Sequence, residues 1–279
     1  MTNIAAPLPF IKMHGLGNDF VIIDGRANNL AVTEKFLRSL SDRRRGIGCD
    51  QIVIFRPSAK ADIRLEMYNA DGSPLGACGN ATRCVAQLMF AELSRKTCII
   101  ETASGLLSAW EETPGQIAVD FGPPLLEWAQ IPLAQATDTL HVPLALDQLS
   151  DPCCVSMGNP HAVFFVADSD AVPLAELGPR LEHHPIFPER CNIEAAQILA
   201  PDKIRMRVWE RGTGITQACG SGACATLVAA ARRGLSGRRA TLILDGGDLS
   251  VEWREDNHVI MIGPATFSYS GVLPEGFGN

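Results

Sequence analysis

The sequence predicts an α+β protein of two pseudo-symmetric domains from a tandem duplication, each a curved, mainly antiparallel sheet wrapped round a central helix. Three observations support this prediction. A Cys-Gly motif followed by a small polar residue occurs twice, a constant numbering offset relates the two halves, and an alanine-rich apolar segment follows each motif. With 279 residues, the chain is long enough for two domains of ordinary size.

The numbering of the two motifs reveals the duplication. "ACGSGACA" repeats "ACGNATRC", and Cys219 follows Cys78 by 141 positions (219 − 78). The same offset aligns further pairs along the chain: Asn18 with Asn159, Gln51 with Asn192, and "IRLEMYN" with "IRMRVWE". A register that persists across such distances is typical of an internal repeat. We expect one domain to comprise residues 1–123 and 266–279, and the other residues 124–265.

The same kinds of element are predicted within each repeat. "DFVIID", "QIVIF" and "IRLEMY" predict strands in the first repeat, and "HAVFFV" and "IRMRVW" predict strands in the second. Thr33 is the predicted N-cap of a helix over "TEKFLRSLSD". After the two Cys-Gly motifs, "ATRCVAQLMFAEL" and "ACATLVAAARRGL" predict helices that are apolar on all sides and therefore buried.

Composition excludes several classes of partner. With 24 basic and 31 acidic residues, the net charge of −7 argues against nucleic acid or an anionic membrane as a partner. No apolar run is long enough to span a bilayer, and the first residues lack the features of a signal peptide. Nine cysteines without C-x-x-C spacing favour free thiols over disulfides or zinc. We therefore expect a cytoplasmic protein with a small-molecule substrate and no metal.

The two Cys-Gly motifs carry the predicted chemistry. At a helix N-terminus, unpaired N–H groups and the helix dipole lower the pKa of a thiol. The next residues offer backbone donors to a carboxylate: Gly79, Asn80, Gly220 and Ser221. If a pseudo-twofold axis makes the two sites face each other, a carbon held between them has one sulfur on each face. That arrangement suits inversion of a stereocentre by a thiolate base and a thiol acid, with the helix N-termini stabilising the carbanion.

At this point the motifs identify a family. "MHGLGNDF", "GIGCDQ", "YNADGS", "GNPHAV", "PERCNIE" and "WERGTGITQACGSGACA" cover nearly the whole chain. With them, the sequence resembles diaminopimelate epimerases, the two-cysteine isomerases of lysine and peptidoglycan precursor biosynthesis. The resemblance implies interconversion of LL- and meso-diaminopimelate without a cofactor, two domains with the active site between them, and a homodimer. "CGNATRC" departs from the family's commoner "CGNGARC", and Ser221 replaces a common Thr; both changes keep the essential groups.

The resemblance also implies roles for individual residues. Cys78 and Cys219 match the acid/base pair, and His161 and Glu210 match the residues that assist them. The positions that match substrate-binding residues are Asn18, Gln51, Asn69, Gly79, Asn80, Asn159, Asn192, Glu210, Arg211, Gly220 and Ser221. Chemistry supports two of these independently, because Arg211 can bind a distal carboxylate in bidentate fashion and Glu210 can bind an ammonium group.

Other functions remain open at this stage. A proline or hydroxyproline racemase also uses paired cysteines, although a proline pocket has no need of Glu210 and Arg211. The phenazine-pathway isomerases share the family's fold but lack the cysteine pair. A non-catalytic amino-acid-binding protein or a thiol-redox protein would use the same two cysteines differently. A pyridoxal enzyme is not expected, because none of the lysines lies in a motif typical of a Schiff base.

Overall fold

The computed structural model describes residues 7–27, 30–76 and 78–278. Ala77, the first residue of the first motif, lies outside these described residues. The chain divides into two units, one comprising Met1–Val119 with Pro264–Asn279 and the other Asp120–Gly263. The predicted domain boundaries after residues 123 and 265 stay a prediction.

A mixed sheet and two helices form the first unit. Its elements are β1 (Leu8–Gly15), β2 (Asn18–Asp24), α1 (Glu34–Ser41), β3 (Gln51–Arg56), β4 (Ile63–Asn69), β5 (Pro74–Leu75), α2 (Gly79–Leu93), β6 (Thr97–Thr102), β7 (Gly105–Thr113), β8 (Gln116–Asp120), which leads into the second unit, and the C-terminal β19 (Thr266–Leu273). Hydrogen bonds join the strands in the order β19-β1-β2-β3-β4-β6-β7, in which only the β2–β3 and β4–β6 pairs are parallel. Helix α2 packs against β1, β2, β6 and β7.

The second unit repeats this arrangement. Its elements are β9 (Ala145–Leu146), β10 (Leu149–Ser150), β11 (Cys153–Ser156), β12 (Pro160–Phe165), α3 (Leu174–Glu182), β13 (Asn192–Ala200), β14 (Lys203–Glu210), β15 (Gly214–Ile215), α4 (Gly220–Arg232), β16 (Arg239–Leu244), β17 (Gly247–Trp253) and β18 (Val259–Gly263). The sheet order is β11-β12-β13-β14-β16-β17-β18, with parallel pairs at β12–β13 and β14–β16. Helix α4 packs against strands at both ends of this sheet, β11 and β18, so the sheet wraps round it.

The predicted fold class is confirmed: each unit is a mainly antiparallel sheet around a central helix. Most of each central helix is buried, and small apolar residues such as Cys84 and Val85 in α2 and Cys224 and Val228 in α4 favour this burial. None of the described helices combines the length and the hydrophobicity that a membrane span requires.

Helix α1 begins where the sequence predicts. The hydroxyl of Thr33 accepts a hydrogen bond from the backbone N–H of Phe36 at 3.2 Å, which satisfies one of the orphan donors of the first turn. Phe36, Leu37 and Leu40 lie on one side of the helix and are buried against β1, β2 and β3. The predicted helix and its N-cap are therefore confirmed.

Candidate active site

Each unit begins its central helix at one of the two motif cysteines. Cys78 is the N-cap of α2, with extended backbone at φ −145° and ψ 114°. Cys219 is the N-cap of α4, at φ −117° and ψ 111°. Gly79 and Gly220 are the first helical residues, so the unpaired N–H groups of each first turn lie beside a sulfur. The prediction that both cysteines start buried helices is confirmed.

Uncharged amide groups surround the sulfur of Cys78. Its Sγ lies 3.7 Å from Oδ1 of Asn18 and 3.5 Å from Oε1 of Gln51, and both oxygens can accept a hydrogen bond from the thiol. Oδ1 of Asn18 also accepts from Nδ2 of Asn80 at 3.1 Å. The structure therefore brings four of the predicted site residues of the first unit together.

An acidic residue fixes the amide of Asn18. Oδ2 of Asp50 accepts from Nδ2 of Asn18 at 3.1 Å, which leaves Oδ1 of Asn18 toward Cys78. Arg43 in turn donates to Oδ1 of Asp50 and to Oδ1 of Asp19, both at 2.7 Å. Asp50 and Arg43 thus orient a candidate binding residue.

Asn69 takes a different position from the other predicted residues. Its Nδ2 donates to Oγ of Ser73 at 3.1 Å, within its own turn. It lies directly opposite Gln51 in the β3–β4 ladder. Asn69 therefore lies beside Gln51, and its part in substrate binding stays a prediction.

Cys219 has a more enclosed and more acidic environment. Its Sγ accepts from the backbone N–H of Gly222 at 3.4 Å and lies 3.6 Å from Oγ of Ser221. Burial raises the pKa of the Cys219 thiol well above its ordinary value, and the carboxyl groups of Glu210 and Glu194 raise it further, against the hydrogen bonds from Ser221 and Gly222. The expectation that the helix N-terminus lowers this pKa is wrong, because burial and two nearby carboxyl groups outweigh the helix.

Glu210 forms a hydrogen bond with Cys219 and can exchange a proton with it. Burial raises the pKa of its carboxyl group to about 7, while hydrogen bonds with Thr216 and Cys219 and the proximity of His161 act in the opposite direction. The Thr216 hydroxyl donates to Oε1 of Glu210. A carboxyl group that titrates near neutral pH is suited to general acid–base work, so Glu210 can accept the Cys219 proton.

His161 connects to the sulfur through other side chains. It is fully buried, with Nδ1 2.6 Å from Oε1 of Glu194 and Nε2 3.0 Å from Oδ1 of Asn159. Nδ2 of Asn159 then donates to Oγ of Ser221 at 3.3 Å. The structure therefore joins His161, Asn159 and Ser221 with Cys219, while both ring nitrogens of His161 already have partners.

Asn192 and Arg211 are joined to each other at the edge of this cluster. Nδ2 of Asn192 donates to the carbonyl of Pro160 at 2.8 Å, and its Oδ1 accepts from the backbone N–H of Arg211 at 2.9 Å. The Arg211 guanidinium donates to the carbonyl of Glu189 at 3.1 Å and, among the described residues, pairs with no carboxylate. Asn192 thus joins two backbone segments, and the Arg211 side chain retains donors for an anion.

Six residues of these surroundings were not predicted: Asp19, Arg43, Asp50, Glu194, Thr216 and Gly222. Two of them left a signal. Glu194 is a charged residue inside the strand "NIEAAQILA", and Asp50 directly precedes a predicted binding residue. Across the described ranges, no three His, Cys, Asp or Glu side chains are grouped so that they could hold a metal ion.

Gly222→Ala is expected to lower kcat about tenfold. A Cβ at this position would lie 2.9 Å from Oε1 of Glu194 and 3.3 Å from Sγ of Cys219, so the sulfur must shift by a few tenths of an ångström. Steady-state kinetics checks this result. Gly237→Ala is the matched control, because a Cβ there meets nothing within 4 Å. Equal kcat values for the two variants would contradict the prediction.

Comparison with known proteins identifies the family. The family model for diaminopimelate epimerase matches residues 10–126 and 153–268. A diaminopimelate epimerase of Rhodospirillum centenum is 59% identical over 268 residues, which are 95% of this chain and 92% of that protein. The chain belongs to the diaminopimelate epimerase family. The predicted family is confirmed, and its members are isomerases.

The fold of the diaminopimelate epimerase family extends to more distant proteins. A phenazine biosynthesis protein of the PhzF family from Enterococcus faecalis has a TM-score of 0.72 and 14% identity, covering 96% of this chain and all (100%) of that chain. A probable proline racemase from Agrobacterium radiobacter K84 has a TM-score of 0.70 and 15% identity, covering 96% and 93%. These similarities show the fold alone, so they do not favour a phenazine-pathway isomerase or a proline racemase over a diaminopimelate epimerase.

Proposed function

We propose that the chain interconverts LL- and meso-diaminopimelate without a cofactor, by removing the α-proton from one face of a stereocentre and adding a proton to the opposite face. One cysteine, as a thiolate, removes the α-proton and becomes a thiol. The other cysteine, as a thiol, delivers its proton to the opposite face of the carbanion and becomes a thiolate. The exchange inverts the stereocentre, and no atom is oxidised or reduced.

The observation that carries this proposal is the occurrence of Cys78 and Cys219 at the same position of two repeated units. Each lies at the N-terminus of a buried helix, where backbone N–H groups favour a carboxylate. The same donors would stabilise the negative charge that develops when the α-proton leaves. Because Glu210 has a pKa of about 7, it can take the proton of the Cys219 thiol and so prepare the thiolate.

The remaining side chains support a substrate with two amino-acid ends. The proposed contacts of the reacting end are the residues of the two helix starts together with the surrounding amides: Asn18, Gln51, Asn69, Gly79, Asn80, Asn159, Asn192, Gly220 and Ser221. For the distal end, Arg211 keeps guanidinium N–H groups that pair with no carboxylate in the described ranges, and a carboxylate of the substrate would pair with them. Glu210, which forms a hydrogen bond with Cys219, would bind an ammonium group of the substrate while its carboxyl group is ionised.

We further propose that the enzyme is a cytoplasmic homodimer that supplies precursors of lysine and peptidoglycan. The family resemblance supports the dimer and the biosynthetic role. The cysteines support the location, because all nine are free thiols and free thiols are typical of a reducing compartment.

Deuterium incorporation tests the proposed function. The reduced protein is incubated with LL-diaminopimelate in D₂O without pyridoxal phosphate or metal, and the α-proton signal is followed by NMR, with L-proline in a parallel sample. We expect deuterium to enter diaminopimelate and meso product to form, because the proton returned to the carbanion comes from a thiol in exchange with solvent. Deuterium in proline alone would favour a racemase, and exchange in neither substrate would contradict the proposal.

A further inference from the structure

Glu194 places a carboxyl group inside the second unit with no exposed surface. Its neighbours in β13, Ile193 and Ala195, belong to an apolar cluster with residues of α3. One carboxyl oxygen of Glu194, Oε1, lies 2.6 Å from Nδ1 of His161, and the other, Oε2, has no hydrogen-bond partner within the described part of the chain. A buried carboxyl oxygen without a partner destabilises a fold, so packing alone does not account for this residue.

His161 transmits the effect of this carboxyl group toward the sulfur. Nε2 of His161 lies 3.0 Å from Oδ1 of Asn159, and because a carbonyl oxygen only accepts, Nε2 carries a proton. A further proton lies between Nδ1 and Glu194. The His161–Glu194 pair is therefore net neutral, whether it is an imidazolium with a carboxylate or an imidazole with a carboxylic acid.

The amide of Asn159 continues this direction of donation. With its oxygen toward the imidazole, its Nδ2 donates to Oγ of Ser221 at 3.3 Å. Ser221 thus accepts one hydrogen bond, and its hydroxyl proton can point at Sγ of Cys219, 3.6 Å away. Hydrogen bonds that run in one direction strengthen one another, and this chain of bonds ends on the sulfur.

We propose that Glu194 is a positioning residue for proton transfer at Cys219. Its bond to His161 sets the direction of the hydrogen-bond chain, so that the last hydroxyl donates to the sulfur. In the proposed reaction this sulfur must exist as a thiolate in one direction of turnover, and a donor stabilises the thiolate. The inference rests on the proposed function, because without two-thiol chemistry the chain of bonds has no reaction to serve.

Other titratable groups face the His161–Glu194 pair from the elements packed against it. Among the described residues these are Cys154 in β11, Cys191 ahead of β13, Glu210 in β14 and Cys219 ahead of α4. Burial raises the pKa of the Cys154 and Cys191 thiols well above the ordinary value, so both are neutral near pH 7. Glu210 titrates in the range of the experiment, so every rate must be expressed relative to the unsubstituted protein at the same pH.

Glu194→Gln is the test, because it keeps the side-chain size and removes the carboxylate. In this variant the amide at position 194 can either donate to Nδ1 of His161 or accept from it, so the ring proton can occupy either nitrogen and both directions of the chain become populated. We expect kcat to fall about tenfold relative to the unsubstituted protein, with little change in KM.

Glu182→Gln is the matched control. Glu182 is also buried in the second unit, and it accepts from Nε1 of Trp209 at 2.7 Å and from the backbone N–H of Gly212 at 2.9 Å. This substitution also buries an amide in place of a carboxyl group but does not touch an imidazole. We expect its kcat to equal that of the unsubstituted protein.

A second measurement does not depend on whether the Glu194→Gln variant folds. Nitrogen NMR of the unsubstituted protein labelled at histidine, with His161 assigned by its absence in His161→Gln, reports the protonation of each ring nitrogen. A protonated Nε2 throughout the neutral range is the expected result, and an unprotonated Nε2 overturns the inference.

The outcomes of the kinetic test are separable. A kcat of Glu194→Gln that is unchanged, or that falls no further than the kcat of Glu182→Gln, overturns the role of Glu194 while the proposed function stands. Absence of exchange in the unsubstituted protein overturns the proposed function and this inference with it.

Discussion

Cys78→Ala and Cys219→Ala are each expected to lower the rate of epimerisation by at least about a thousandfold. Inversion needs a proton acceptor on one face of the α-carbon and a proton donor on the other, and alanine is neither. Epimerisation in ordinary water, followed by NMR of the two isomers, measures the loss. Deuterium that still enters the substrate in a single variant is expected to enter with retention of configuration, because only one sulfur remains.

Cysteines within the same two helices provide the controls. Cys84 in α2 and Cys224 in α4 are fully buried, and burial raises the pKa of Cys84 to about 12, so this group is a thiol near neutral pH. We expect Cys84→Ala and Cys224→Ala to lose about 1–2 kcal/mol of unfolding free energy and to keep their rate within about threefold. A full rate in either motif variant, or equal losses in the controls, would contradict two-thiol catalysis.

The helix starts could be predicted because their signals are local. A cysteine, a glycine and a run of small apolar residues define the beginning of α2 and of α4 within a few positions, and the constant offset between Cys78 and Cys219 marks the two copies as equivalent. The N-cap Thr33 is local in the same sense, since its partner is Phe36. Element type and capping depend on such short spacings.

The electrostatics of the site depend on contacts that are distant in sequence. The sequence shows that a helix begins beside Cys219. It does not show that the sulfur is buried, or that the carboxyl groups of Glu210 in β14 and Glu194 in β13 lie near it. The direction of the thiol pKa was therefore wrong in the sequence-based prediction. The contact between Arg43 and Asp19 was not predicted for the same reason, because the two residues are 24 positions apart.

Glu210→Gln is expected to lower kcat about a hundredfold while it stabilises the fold above neutral pH. The amide keeps an oxygen for the Thr216 hydroxyl, which donates to the carboxyl group of Glu210, but it cannot take a proton from Cys219. Because the pKa of Glu210 is about 7, kcat/KM of the unsubstituted protein should rise through about pH 7 as this carboxyl group ionises. That limb of the pH profile should be absent in the variant.

The stability effect has the opposite sign to the effect on the rate. Burial raises the pKa of Glu210 from 4.5 to about 7 in the folded chain, so its contribution to stability is full below about pH 4.5 and is lost as pH rises through about 7. The loss is at most about 3.4 kcal/mol, and solvent reduces it because the residue is partly exposed. Urea unfolding near pH 5 and pH 8 measures the difference between Glu210→Gln and the unsubstituted protein, with surface Glu255→Gln as the control for losing one charge. We expect the stabilisation by Glu210→Gln to grow with pH. A variant that is less stable than the unsubstituted protein at pH 8 would show that the ionised carboxylate stabilises the fold, and would contradict the prediction.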